Sequence, residues 1–167
     1  GLAAFEPDDE ADFFGREALT ETLWTTVAAN RLTLLSGGSG SGKSSLVNAG
    51  LIPRLHRQGG WCIARARPLS TPIDNVAHAL ARAMLPGHDA FAITDRAEDL
   101  AGKLVEQPAR ALAYAETHRE QTGQSLFLII DQFEETFNLA RPANPDQHER
   151  LIDLILAIAA SPQDGPV

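Results

Sequence analysis

Apolar residues recur along this chain with two periods, and each change of period marks an element. Arg16 to Asn30 carries Leu19, Leu23 and Val27 four residues apart, which predicts a helix facing a core, with Asn30 as its stop. Arg31 to Leu35 is a short apolar run, read as the first core strand. Lys43 to Leu55 reads as a helix that Pro53 should kink or end near Leu51. Gly59-Gly60 turns the chain into a second strand, Trp61 to Arg67, with Cys62 as a core thiol. Thr71-Pro72 begins a helix whose stripe is Ile73, Val76, Ala77, Leu80 and Met84, and Pro86-Gly87 breaks it. Asp95 and Glu98 form a capping-box pattern for another helix, and Pro108 restarts a helix through His118. Gly123 leads into the strand Ser125 to Asp131, and a short helix should run on to Leu139. Asn144-Pro145, with Gln147 at the capping-box position, starts a last helix with the stripe Leu151, Leu154, Ile155 and Ile158, stopped by Ser161-Pro162. Ahead of all this, Glu6-Pro7 should open a short acidic helix that Gly15 ends, with Asp8, Asp9, Glu10 and Asp12 on a solvated face.

The pattern in Ser125 to Asp131 sets the fold class. Leu126, Leu128 and Ile130 take one face, and Phe127 and Ile129 the other. A strand apolar on both faces belongs in a parallel sheet covered by helices. The expected fold is α/β.

Composition narrows the partners. The chain has 167 residues, 44% of them hydrophobic, which is enough for one core or part of one. No apolar run reaches the length of a membrane span and no secretory signal is visible, so a cytoplasmic location is expected. One cysteine excludes a disulfide or cysteine-based zinc framework, and the scattered histidines 56, 78, 88, 118 and 148 suggest no metal site. A net charge of −8 argues against a general nucleic-acid surface.

The chemistry is concentrated in Gly37 to Ser44, G-G-S-G-S-G-K-S, which fits the phosphate-binding pattern G-x-x-x-x-G-K-[ST] without a mismatch. Its flanks, a strand-like run and a helix start, separate it from a Gly/Ser linker. Backbone N–H groups of a tight loop, here Gly37, Gly38, Ser39, Gly40, Ser41 and Gly42, form a concavity for anions, and the helix start adds its unpaired N–H groups. The glycines permit that path. Lys43 should reach the β- and γ-phosphates, Ser44 should ligate Mg²⁺, and Ser45 could bond the α-phosphate. The chain has only two lysines, and one of them closes this loop. The overlapping L-S-G-G at Leu35 to Gly38 resembles a transporter-ATPase signature but sits in the wrong place for one.

Asp131 ends an apolar strand, and parallel sheets bind ligands beyond the carboxyl ends of their strands. Behind a full phosphate loop this reads as a Walker B aspartate placed near the Ser44-bound metal; the bland reading is a helix cap. Glu134 and Glu135 follow, and either could orient or deprotonate an attacking water. Arg65 and Arg67 could face phosphates, although solvated strand-end arginines are commoner.

Taken together, F-E-P-D-D-E-A-D-F-F-G-R-E, G-G-S-G-S-G-K-S-S-L-V-N-A-G-L-I-P-R-L and L-F-L-I-I-D-Q-F-E-E make the chain resemble the novel STAND group-one NTPases, bacterial signal-transduction ATPases with numerous domains. The resemblance implies a P-loop NTPase three-layer sandwich, truncated before the sensor strand. Residues 1–30 would be its N-terminal helical segment and residues 31–167 its partial core. It further implies that Arg16 lies near the adenine or hinge of an ATP site, and that Glu135 stands where related domains keep an acidic residue. Fused effector and repeat domains outside this chain and nucleotide-dependent homo-oligomers are what such proteins use. The expected function is a nucleotide switch that binds ATP with Mg²⁺ and hydrolyses it slowly, with little or no turnover in this chain alone. The alternative is a phosphotransferase acting on a small acceptor. No N-K-x-D pattern is present to read guanine, which favours ATP over GTP.

Overall fold

The computed structural model describes residues 15–138 and 145–160. The helix expected from Glu6-Pro7 lies outside these residues, as do Leu139, Asn144 and Ser161-Pro162. The chain divides into two compact units, one within Gly1–Gly60 and one within Trp61–Ser161.

The first unit opens with α1 (Glu17–Ala29). Leu23 is buried as its spacing predicts, but Leu19 is exposed and Val27 only half-buried, so the apolar stripe is narrower than expected. Arg31 to Leu35 is not a strand. Among the described residues the sheet has two strands, and no ladder reaches 32–38. Leu34 stands 81% exposed. Local pattern proposes a strand, but only a backbone partner makes one.

Past the glycine loop, helix runs from Lys43 to Gln58 without a break: α2 (Lys43–Ser45), a π-helical segment (Leu46–Leu51) and α3 (Ile52–Gln58). Pro53 therefore neither ends this helix nor stops it at Leu51. An α-helix would press the proline ring against the carbonyl of Ala49 and ask for an N–H that is missing. The turn just before it is widened instead, and Ile52 N–H donates to Val47 O, five residues back. Within this segment Gly50 faces α1. A Cβ there would come within 2.8 Å of Thr20 Oγ1, so the two helices approach closely only because position 50 has no side chain.

The second unit is α/β. Its β1 (Trp61–Ala66) and β2 (Ser125–Ile130) are parallel, with Trp61 opposite Ser125 and Ala66 opposite Ile130. Between them come α4 (Pro72–Met84), α5 (Ala90–Glu106), a 3₁₀ turn (Pro108–Arg110) and α6 (Ala111–Thr122). After β2 follow α7 (Glu135–Asn138) and α8 (Pro145–Ala160). Ile73, Val76, Ala77 and Ala81 of α4 are fully buried and meet Leu100 and Leu104 of α5 and Leu151 and Leu154 of α8 in one core. Leu128 and Ile130 face this core, while Phe127 stands edge-on to Trp61, 5.8 Å between centroids. Burial on both faces of β2 is thus partial, every position being half-buried. Cys62 is buried, and desolvation pushes its thiol pKa up.

One helix start differs from expectation. α5 begins at Ala90, where Asp89 accepts the Ala92 N–H at 2.9 Å, so Asp95 and Glu98 lie inside a helix already capped.

Candidate functional site

The glycine loop belongs to the first unit. Gly40 and Gly42 take left-handed backbone, at φ 73° and 85°, which a side chain would strain. At Gly37 a Cβ would sit tightly against Ser41 Oγ, at 3.1 Å, and that hydroxyl would have to shift; at Gly38 a Cβ would meet nothing. Ser41 N–H donates to Gly38 O, and Leu46 N–H donates to Gly42 O, so the loop closes a turn and hands the chain directly to the helix. The Lys43 ammonium folds over this loop and donates to Gly37 O at 2.8 Å and Gly38 O at 3.1 Å. It is held above the concavity rather than extended into solvent.

Arg16 comes to the same place. Its Nη1 donates to Ser41 O at 3.2 Å, and its guanidinium lies against Gly42, 3.6 Å from where a Cβ would stand. Sequence separation hid this contact, which spans 25 residues. Two cations, Lys43 and Arg16, thus converge on one short loop and are hydrogen-bonded there to neutral carbonyls. Ser39, Ser44 and Ser45 complete the stretch, Ser44 and Ser45 within the first helical turn.

Asp131 belongs to the second unit, one residue past β2. Its N–H donates to Ala66 O at 2.9 Å, extending the β1–β2 ladder by one bond, and its Oδ1 accepts the Gln132 N–H at 3.0 Å. Oδ2 faces Arg67 Nη2 at 3.7 Å. Arg67 was legible as a strand-end arginine, but its partner followed only from register, which sets Arg67 and Asp131 side by side just past Ala66 and Ile130. Gln132 adopts φ 56°, a conformation that costs a non-glycine residue on the order of 1–2 kcal/mol. Glu135 opens α7 and is half-buried, with its N–H on Gln132 O; Glu134 is exposed. Thr136 is buried and its hydroxyl donates to Phe133 O, which fixes the turn after Asp131.

The model for Novel STAND NTPase 1 matches residues 1–166. The chain belongs to the Novel STAND NTPase 1 family. Membership in this NTPase family implies a nucleotide ligand. The searches of curated proteins and of solved structures gave no match. A nucleotide suits the loop as built, with two left-handed glycines and two converging cations. The Ser44 hydroxyl in the first unit and the Asp131 carboxylate in the second are each hard oxygen donors of the kind Mg²⁺ takes, and Asp131 pairs with the Arg67 guanidinium. Among the described residues no three His, Cys, Asp or Glu side chains gather to hold a metal by themselves.

Proposed function

We propose that this chain is the MgATP-binding switch module of a multidomain signalling or defence protein, built on the P-loop sandwich and hydrolysing ATP slowly. The observation that carries the reading is the loop Gly37–Ser44, whose left-handed glycines lead straight into a helix while Lys43 and Arg16 lean over it. In this reading the loop N–H groups and the helix start receive the phosphates. Lys43 exchanges its carbonyl partners for the β- and γ-phosphates, and Ser45 bonds the α-phosphate. Arg16 borders the nucleotide from the loop's side. Ser44 and Asp131 hold Mg²⁺, which would neutralise charge on the phosphates. Glu135, half-buried at the start of α7, orients the attacking water in preference to the exposed Glu134. The absence of the guanine-reading pattern supports ATP. A cytoplasmic home, fused effector and repeat domains, and nucleotide-dependent self-association belong to the same proposal.

Calorimetry on folded Lys43→Ala tests it. A charge-assisted contact contributes about 1.5–3 kcal/mol, so ATP affinity should fall roughly ten- to one-hundred-fold. Unchanged affinity would remove the loop from the binding site.

A further inference from the structure

β1 and β2 end level, with Ala66 opposite Ile130, so the residues beyond them share one edge of the sheet. The two described non-glycine residues with left-handed backbone both lie on this edge: Leu69 at φ 48° and Gln132 at φ 56°. Such backbone is costly for residues that carry a Cβ, and it gathers where ligands or switching contacts are held. Arg67 and Asp131 stand on the strand side of these two residues, each the first residue past its strand.

The ion pair they form is lopsided. Asp131 is tied down at its own N–H by Ala66 O and at Oδ1 by the Gln132 N–H, and its side chain is 22% exposed. Arg67 is 60% exposed and reaches Oδ2 only at 3.7 Å, long for a charge-assisted hydrogen bond. The anion is fixed in place and the cation rests lightly upon it. A contact of that kind is cheap to give up, because exposed ion pairs are weak and salt-screened.

We propose that Arg67 is the resident cation of the Asp131 carboxylate and that a divalent ion arriving with nucleotide must displace it, so that Arg67 sets the apparent metal affinity of the site. The proposal rests on the reading of Asp131 as a metal ligand. The exchange makes and breaks no covalent bond: Oδ2 gives up an ion pair and gains a metal–oxygen contact. Arg67 opposes the metal twice, by occupying Oδ2 and by repelling a second positive charge near it. Both effects are electrostatic and solvent-exposed, so both should fade as salt rises.

The test is an electron paramagnetic resonance titration of Mn²⁺ in the presence of saturating β,γ-imido-ATP. It compares wild type, Arg67→Gln, Asp131→Asn and the double variant. Arg67→Gln should bind Mn²⁺ about two- to five-fold more tightly at low salt, the size expected of an exposed pair, with the difference closing near 0.5 M salt. Asp131→Asn should weaken Mn²⁺ binding, and adding Arg67→Gln to it should restore less than Arg67→Gln gains on its own, because only the repulsion is then left to remove. Equal or weaker Mn²⁺ binding by Arg67→Gln, with Asp131→Asn still weakening it, overturns the displacement and leaves the metal reading standing. A salt-independent gain would also overturn it, since a merely structural effect of Arg67 has no reason to follow ionic strength. No effect of Asp131→Asn, or no binding of the analogue, overturns the metal reading and the proposal with it.

Discussion

At the scale of single residues, His118 sits in surroundings that oppose its charged form. It is buried in α6, its Nε2 has no hydrogen-bond partner among the described residues, and burial together with the Arg96 charge holds its pKa below the ordinary histidine value. The unfolded chain takes up the proton near pH 6.5, and the folded chain only at lower pH. Between those two values unfolding binds a proton, so stability is full above about pH 6.5 and falls as pH drops below it. Urea midpoints measured from pH 7.5 to 5.5 should decline for wild type, and His118→Gln should flatten that decline. A decline of equal size in the variant would assign the pH dependence to other groups.

Among elements, two glycines on neighbouring helices make opposite predictions. Gly123 is the left-handed C-cap of α6 at φ 72°, and its N–H bonds Arg119 O. Gly102 lies inside α5 on an exposed face, with nothing within 4 Å of where a Cβ would stand. Gly123→Ala should destabilise by about 1 kcal/mol through the left-handed penalty. Gly102→Ala should stabilise by a similar amount, about 0.8–1 kcal/mol, through helix propensity. Thermal melts of the two variants should move in opposite directions. The same elements show what was legible beforehand. The helices α1, α4 and α8 and the strand β2 followed from periodicity, because amphipathic spacing is a local property, while α6 and β1 followed from the breaks at Pro108 and Gly59-Gly60. The glycine loop and Asp131 followed from residue type at fixed spacing. What escaped were features made by two partners. Residues 32–35 have a strand's pattern but no ladder, Arg16 meets Ser41 from 25 residues away, and Arg67 meets Asp131 through register. The start of α5 escaped because Asp89 outcompeted a capping pattern six residues later.

For the whole chain, the division into two compact units matters because the glycine loop lies in one and Asp131 in the other. No helix among the described residues is long and apolar enough to cross a membrane. A ligand at one hundred times its Kd adds about 2.7 kcal/mol to whatever it binds. For a small unit that is a large share of the total. Hydrogen exchange should therefore report the ligand unit by unit. ATP with chelator should slow exchange in peptides covering 37–51 while leaving α5 unchanged. Added Mg²⁺ should then slow exchange at 130–135, and Asp131→Asn should lose only this second response. Uniform protection from ATP alone would contradict the assignment of separate roles to loop and carboxylate.

The widened turn at Leu46–Leu51 has a further consequence, for changes of chain length. A π-turn carries about one residue more per turn than an α-turn. Elsewhere in a helix, losing one residue rotates everything beyond it by about 100° and turns buried side chains outward. Here the surplus is already present, so the loss of one residue can be absorbed by returning the segment to α-geometry, with Lys43 and Leu55 keeping their faces. The stretch between the glycine loop and Pro53 is thus where this helix can tolerate a one-residue deletion, and it would do so at the cost of bringing Pro53 back against the carbonyl that the wider turn now avoids.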